Sequence, residues 1–170
     1  MTVFSEQLTI RPYTPSDENA VWMILEPVIT AGDTYALPTI WNRQETIAFW
    51  CMAGHKVFVA THGNSILGTY YLQANQKGGG SHVANCGYVT DSNSVGRGVA
   101  RTMCSHSLKY AKDSAFKAMQ YNFVISTNVR AIALWKTFGF EIVGTLPFAF
   151  NHPKEGYVDA FVMLDRKSVV

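Results

Sequence analysis

The most informative segment of the sequence is Val95-Gly96-Arg97-Gly98-Val99-Ala100, which joins a predicted strand, His82–Thr90, to a predicted helix, Val99–Lys112. Its two glycines allow the backbone to turn tightly and to approach a ligand closely. The start of the helix presents unpaired N–H groups and a partial positive charge, which suit a pyrophosphate. An ordinary strand-to-helix turn would explain the same pattern, and the segment is neither a Walker loop nor a dinucleotide-binding fingerprint.

The hydrophobic pattern on both sides of this segment predicts an α+β fold with the element order β-α-α-β-β-β-α-β-α-β-β. The first helix is predicted to begin with Thr14 as N-cap and Pro15 in its first turn. The other predicted helices are Thr46–Met52, Val99–Lys112 and Asn128–Phe138. The predicted strands are Leu8–Tyr13, Lys56–Thr61, Ser65–Gln73, His82–Thr90, Ala118–Ser126, Phe140–Leu146 and Tyr157–Leu164. We expect a single layered domain over residues 1–170.

The composition predicts a folded protein in a reducing compartment, which we expect to be the cytoplasm. Aromatic residues make up 13% and the net charge is only +2, so intrinsic disorder is excluded. Cys51, Cys86 and Cys104 are widely spaced and form no C-x-x-C pair, so neither a disulfide framework nor a metal site is expected. Met1–Glu6 lacks a basic start followed by an apolar run, and no stretch is long enough to cross a membrane, so we expect neither secretion nor membrane insertion.

Charge is distributed unevenly along the chain. Residues 1–50 carry six acidic and two basic residues, a sum of −4, whereas residues 97–136 carry seven basic residues and one acidic residue, a sum of +6. The second stretch could attract a polyanion. No basic run with interleaved aromatics and no nucleic-acid motif is present, so a phosphorylated co-substrate is favoured over nucleic acid.

A second motif, Asn128-x-x-Ala131-x-x-Leu134-Trp135-x-x-x-Gly139-Phe140, follows a predicted strand. Together with the glycine loop and the opening Thr9-Ile10-Arg11-Pro12, it resembles the GNAT superfamily of acyl-CoA N-acyltransferases. The resemblance implies a mixed, mostly antiparallel sheet flanked by helices in three layers, α/β/α, and acetyl-CoA as co-substrate. The residues that it implies for acetyl-CoA binding are Tyr88, Val89, Val95, Gly96, Arg97, Gly98, Val99, Ala100, Asn128 and Trp135.

A narrower similarity lies in Gly32–Tyr35, Gly68–Tyr71, Ser81–Tyr88 and Tyr121–Val124. These segments resemble a branch of the superfamily that includes the fungal acetyltransferases that detoxify azetidine-2-carboxylate and, more distantly, phosphinothricin acetyltransferases. The resemblance implies a small amino acid or a toxic analogue as acceptor and a role in detoxification.

Two positions depart from the pattern of the superfamily. Val95 stands where Gln or Arg is usual, so one charge-assisted contact with the pyrophosphate is missing. Trp135 stands where many relatives carry the Tyr that acts as general acid toward the CoA thiolate, and an indole N–H is not usefully acidic. The general acid and base therefore stay unassigned.

The candidate catalytic residues are Asn85 and Asn122. Strand alternation puts Asn85 and Gly87 on one face, where the glycine lets a ligand approach the backbone. Asn122 is flanked by apolar residues and is expected to be buried, where it bonds either the structure or a substrate. With the resemblance, we expect both asparagines to orient the acceptor and its oxyanion, and backbone N–H groups near Tyr88 and Val89 to polarise the thioester carbonyl.

The early loop supplies two further candidates, Asp33 and Tyr35, for the acceptor pocket, although Asp33 is equally explained as a turn cap. No carboxylate occurs on the strand that carries Asn85, where some acetyltransferases keep a general base. Alternation turns His82 and Cys86 to the opposite face, so we interpret both as structural.

Three other hypotheses remain open at the level of sequence. The same chemistry could act on a protein N-terminus or lysine, or the chain could be a non-catalytic acyl-CoA-binding regulatory module. A nucleic-acid binder is a remote fourth possibility. We expect a small-molecule amine as partner, and the apolar C-terminal strands make a homodimer possible.

Overall fold

The computed structural model describes residues 7–168, which form one seven-stranded sheet and four α-helices. The strands are β1 (Thr9–Pro12), β2 (Lys56–His62), β3 (Ser65–Ala74), β4 (Val83–Thr90), β5 (Ala118–Ile125), β6 (Glu141–His152) and β7 (Gly156–Asp165). The helices are α1 (Glu18–Ala31), α2 (Arg43–Trp50), α3 (Val99–Asp113) and α4 (Val129–Thr137). This order is the predicted one. Met1–Glu6, on which the expectation about secretion rests, lies outside the described residues.

The strands lie in the order β1-β2-β3-β4-β5-β7-β6, and only β4 and β5 run parallel to each other. One face of the sheet packs against α1 and α2, with Leu25 and Trp50 among the buried side chains. The other face packs against α3 and α4, with Met103 and Trp135 in the core. The mixed, mostly antiparallel sheet in three layers is therefore confirmed.

A stripe of buried apolar side chains and a small residue on the facing strand determine how α3 packs on the sheet. α3 buries Met103, Cys104 and Leu108 along one side, at helical spacing. It lies close to β3 because Gly68 has no side chain; a Cβ at that position would come within 2.8 Å of Val99 Cγ1. No helix within residues 7–168 is long and apolar enough to cross a membrane.

Most element boundaries lie within one residue of the predicted ones, and the larger differences concern α1, α2 and β6. A 3-10 turn, Pro15–Asp17, precedes α1. α2 begins at Arg43 rather than Thr46, because Asn42 and Glu45 form a capping box in which each side chain accepts from the other's backbone N–H. β6 runs on to His152 because an irregularity between Leu146 and Phe150 interrupts the alternation without ending the pairing with β7.

An ion pair fixes the entry to α1. Both terminal nitrogens of Arg11 donate to the carboxylate of Asp17, at 2.7 and 2.8 Å. The backbone N–H of Thr14 donates to the same carboxylate at 2.8 Å. Asp17 is buried, and its hydrogen bonds with Arg11 are the main cause that lowers its pKa to about 2.

Replacing Arg11 by methionine is expected to lower the free energy of unfolding at neutral pH by about 1 kcal/mol. The effect is modest because 44% of the Arg11 side chain is exposed to solvent. The pair stabilises the fold fully above the unfolded-state pKa of about 4. This contribution shrinks below the unfolded-state pKa and is lost as the pH falls through the folded-state pKa of about 2, where Asp17 becomes protonated. Urea unfolding of wild type and R11M at several pH values measures the difference.

The matched control is Arg43→Met. Arg43 pairs with Glu18 at 2.9 Å, and both side chains are more than a third exposed, so we expect a change below about 0.5 kcal/mol at any pH. A stability difference between wild type and R11M that does not shrink in acid would contradict the assignment to Asp17.

Candidate active site

The site is created by the separation of β4 from β5. The two parallel strands pair only at Val83 with Ala118 and at Ala84 with Met119. Beyond these pairs β4 continues along β3, while β5 continues along β7. A cavity of about 820 Å³ lies where they diverge, and its wall also includes the α1–α2 loop, the loop before α3 and the start of α4.

The ladder between β3 and β4 determines which backbone groups of β4 face this cavity. It has a hydrogen bond at each end, from Asn75 N–H to the Val83 carbonyl and from Asp91 N–H to the Leu67 carbonyl, both at 2.8 Å. An antiparallel ladder alternates between hydrogen-bonded and non-hydrogen-bonded pairs. Counting between these two bonds, the N–H and carbonyl of Tyr88 point away from β3, toward the open edge.

This register refines the expectation for the thioester carbonyl. The Tyr88 N–H is directed to the open edge, whereas the Val89 N–H is directed to β3, so only the side chain of Val89 borders the cavity. The Tyr88 carbonyl accepts a hydrogen bond of 3.0 Å from the Tyr35 hydroxyl. Tyr35 therefore satisfies one backbone group that the missing strand partner would have bonded, and leaves the N–H available.

Asn85 bridges the two strands just beyond their last backbone pair. Its side-chain amide donates to the Gln120 carbonyl at 2.9 Å, and the residue is buried at the cavity wall. Within residues 7–168 no hydrogen bond is found for its amide oxygen, so this oxygen can still meet a ligand. Both alternatives for Asn85, bonding the structure and facing a ligand, are geometrically compatible.

Asn122 lines the same cavity but is exposed, so the expectation that it is buried is wrong. Between Tyr121 and Val124 the pairing of β5 with β7 shifts register, which places Asn122 and Phe123 in a bulge. Its side chain donates to Asn75 Oδ1 at 2.6 Å and accepts from Gln120 Nε2 at 2.9 Å.

The glycine loop has the backbone geometry that a phosphate ligand requires. Gly96 and Gly98 have φ values of +84° and +82°, and no other atom lies near the Cβ that either lacks. The first bond of α3 runs from Thr102 N–H to the Gly98 carbonyl, so the N–H groups of Val99, Ala100 and Arg101 have no partner within the helix. No acidic residue occurs in its first turn. The loop therefore fits the pyrophosphate of acetyl-CoA.

The structure brings most of the predicted site residues to one cavity wall. Those that line it are Tyr35, Asn85, Tyr88, Val89, Val95, Gly96, Gly98, Val99, Ala100, Asn122, Asn128 and Trp135. Asp33 and Arg97 do not line it. Asp33 lies in the α1–α2 loop, and the Arg97 side chain is exposed while its N–H donates to the Ser94 carbonyl.

The polar residues of the wall that the sequence analysis did not predict include Tyr71, Gln73, Arg101 and Arg130. Tyr71 and Gln73 stand directly opposite Gly87 and Asn85 in the ladder. Alternation along a strand predicts which residues share a face, but pairing two strands requires the register, and the sequence carries no clear signal for it.

The cavity is electrostatically neutral to positive. No Asp or Glu of residues 7–168 lines it, whereas Arg101 and Arg130 do. The same part of the chain holds no cluster of three or more metal-ligating side chains. The wall thus offers hydrogen-bond donors and positive charge to an anion, and no carboxylate that would hold a cation or serve as a base.

A hydroxyl network lies under Trp135, whose ring is 5.0 Å from that of Tyr88 and 5.2 Å from that of Tyr121. Ser107 Oγ donates to the Cys104 carbonyl at 2.8 Å, so it accepts from Tyr88, and Tyr88 in turn accepts from Tyr121. Burial raises the pKa of both tyrosines well above 10. All three protons are held within the core, so this network does not replace a general acid.

Comparison with known proteins agrees with this geometry. The profile of the acetyltransferase (GNAT) family matches residues 28–140. The N-acetyltransferase aca1 of Schizosaccharomyces pombe is 32% identical over 99 residues, which cover 58% of this chain and 47% of that protein. The chain thus spans about half the length of this curated relative.

Among solved structures, a GCN5-related N-acetyltransferase from Kribbella flavida superposes with a TM-score of 0.90 and 31% identity, covering 94% of this chain and 97% of that one. The putative acetyltransferase yncA from Salmonella typhimurium, determined with its cofactor acetyl-CoA, superposes with a TM-score of 0.80 and 18% identity, covering 94% and 93%. At that identity the second match concerns the fold alone.

We expect Gly98→Ala to weaken acetyl-CoA binding by roughly tenfold, because an L side chain disfavours the φ of +82° and shifts the N–H groups that would meet the pyrophosphate. Isothermal titration with acetyl-CoA measures the Kd. The control is Gly54→Ala, since Gly54 has a φ of +92°, equally open surroundings and no place in the cavity wall. Equal Kd changes in both variants would mean that the loop is only a turn.

Proposed function

This chain belongs to the acetyltransferase (GNAT) family, and from that premise we propose that it transfers the acetyl group of acetyl-CoA to the amine of a small, carboxylate-bearing amino or imino acid. The observation that carries the proposal is the free edge of β4, where the Tyr88 N–H faces a cavity without a carboxylate. The N-terminus of α3 borders the same cavity. A thioester held between them meets a donor for its carbonyl oxygen.

The chemistry of the wall favours this class of acceptor. Polycationic acceptors are bound by carboxylates, and none of the described residues supplies one to the cavity. An amino acid brings its own negative charge, which neutral amide N–H groups can bind. The Asn85 and Asn122 amides each use one N–H within the protein, so each keeps a second N–H for the carboxylate, as the Gln73 amide can also provide. The cavity volume of about 820 Å³ lies in the range of small-molecule sites.

In the proposed reaction the neutral amine attacks the carbonyl carbon of the thioester. A C–N bond forms, and the electron pair of the C=O bond moves to oxygen, where the Tyr88 N–H stabilises it. The intermediate collapses with cleavage of the C–S bond, and CoA leaves as the thiolate. The proton from nitrogen goes to water, because the wall offers no carboxylate base. Asn85 and Asn122 hold the acceptor in position for the attack.

The neutral wall also bears on how the amine becomes reactive. An ammonium group that enters a site without a compensating carboxylate loses hydration, which lowers its pKa. Arg101 and Arg130 act in the same direction, since like charges disfavour the protonated form. The enzyme then binds the neutral amine directly, and the rate rises with pH as the fraction of neutral acceptor in solution increases.

Acetyl-CoA-dependent thiol release tests the proposal against a panel of amines: azetidine-2-carboxylate, proline, phosphinothricin, common amino acids, a polyamine and a short peptide. We expect release with at least one small carboxylate-bearing amine and none with the polyamine. Release with the peptide alone would replace the proposal by protein acetylation. Acetyl-CoA binding without release for any amine would favour a non-catalytic module.

The same assay tests the two asparagines. We expect Asn85→Ala and Asn122→Ala each to lower kcat/KM by at least roughly tenfold, since each removes a hydrogen bond to the acceptor. Asn75→Ala is the control for Asn122, because it breaks the same 2.6 Å bond from the side that does not line the cavity. An equal loss in Asn75→Ala would mean that Asn122 acts only by bridging the strands.

A further inference from the structure

Tyr71 occupies a rigid position on the wall of the cavity, in the second half of β3. Its ring stacks on His55, with centroids 4.0 Å apart and an interplanar angle of 6°. On another side it meets the edge of Trp50 at 4.9 Å. Only 7% of the residue is exposed, although it lines the cavity. The ring is therefore fixed by packing, and only its outer end is near a ligand.

The hydroxyl end of Tyr71 lies over Gly87, its partner in the ladder. A Cβ on Gly87 would come within 2.6 Å of the Tyr71 ring and 2.9 Å of the hydroxyl oxygen. Since Gly87 itself lines the cavity, the hydroxyl lies at the same wall. The absence of a side chain at position 87 is thus what gives the Tyr71 hydroxyl its place beside the backbone of β4.

This hydroxyl has no hydrogen-bond partner within residues 7–168. The contrast with the preceding residue is direct, because the Tyr70 hydroxyl bonds His106 Nδ1 at 2.6 Å on the opposite face of the sheet. The hydroxyl oxygen is not one of the fully buried, unpartnered side-chain atoms in this part of the chain, which are Thr46 Oγ1 and Asp165 Oδ2. It is therefore reachable from the cavity, where a ligand can supply the missing partner.

We propose that the Tyr71 hydroxyl is a specificity-determining group that donates a hydrogen bond to the carboxylate of the acceptor. The inference rests on the proposed function and extends it to a named atom. Asn85 and Gln73 line the wall on the same face, so the acceptor is held between neutral donors. Burial raises the pKa of Tyr71 to about 12, so the phenol keeps its proton and stays a donor at neutral pH.

His55 holds the phenol at the required position. Its Nδ1 donates to the Trp50 carbonyl at 2.8 Å, which fixes the imidazole on which Tyr71 stacks. Burial lowers the pKa of His55, so the ring is neutral and adds no charge beside the carboxylate site. Recognition of the acceptor's anion at this point relies on oriented dipoles, without a cationic side chain.

The test is Tyr71→Phe, assayed with the best amino acid acceptor of the wild type and with its carboxamide. The substitution keeps the ring contacts and leaves no orphaned partner, so we expect an unchanged melting temperature. We expect KM for the amino acid to rise roughly ten- to hundredfold, with kcat changed far less, and KM for the carboxamide to change little. The result isolates the interaction with the carboxylate.

Tyr70→Phe is the matched control, since it removes a hydroxyl from the adjacent residue, which does not line the cavity. Loss of the bond to His106 is expected to lower its melting temperature by roughly 2–4 °C, with KM for the acceptor unchanged. Gly87→Ala provides a second variant, because its Cβ displaces the Tyr71 hydroxyl; it should raise KM for the amino acid more than for the carboxamide.

The outcomes separate this inference from the proposed function. Wild-type turnover of an amino acid with an unchanged KM in Tyr71→Phe overturns the role of Tyr71 alone. An equal rise of KM for the amino acid and the carboxamide also overturns it, because the hydroxyl would then act elsewhere. Absence of wild-type turnover with every carboxylate-bearing amine would overturn the proposed function itself.

Discussion

The divergence of β4 and β5 after two residue pairs is the constraint on which the rest of the site depends. A sheet that continued its ladder would satisfy every backbone group and leave no donor for a ligand. Here side chains satisfy part of what the missing partner would have bonded: Asn85 reaches the Gln120 carbonyl, and Tyr35 reaches the Tyr88 carbonyl. The edge is thereby kept open, and the backbone N–H groups along it, that of Tyr88 among them, are not used by a neighbouring strand.

In the proposed reaction, the same divergence places the two substrates on opposite faces of the sheet. Tyr88 packs toward α3, whose N-terminus and glycine loop suit phosphate, while Asn85 and Gly87 share the face covered by α1 and α2. Because strand residues alternate between faces, adjacent positions of β4 would contact different ligands in the proposed reaction. The proposal puts the thioester at the open edge of β4, which both ligands can reach, and it relies on backbone dipoles and amides for most of the polarity.

Features that depend on neighbouring residues could be predicted from the sequence, whereas features that depend on residues far apart in the chain could not. The element order and the glycine loop depend on local patterns and were predictable, as was the face that Asn85 occupies. The exposure of Asn122 was not, because the bulge in β5 arises from pairing with β7, which lies about forty residues further along the chain. The position of Tyr71 at the cavity was not predictable for a similar reason. Only the register between β3 and β4 places its hydroxyl over Gly87.

Trp135 stands where many members of the superfamily carry a tyrosine that acts as general acid, and the proton balance of the proposed reaction explains why a tryptophan is tolerated there. A cysteine thiol has a pKa of about 8.5, and a thiolate of this kind is only a moderately strong base, so it can depart without a proton donor. An attacking ammonium is different, because no lone pair exists until its proton is lost. The absence of a base therefore limits the reaction more than the absence of an acid does. In the proposed mechanism a neutral, partly desolvated cavity overcomes that limit by favouring the free amine. Position 135 then needs no acidic group, and Trp135 packs against Tyr88 and Tyr121.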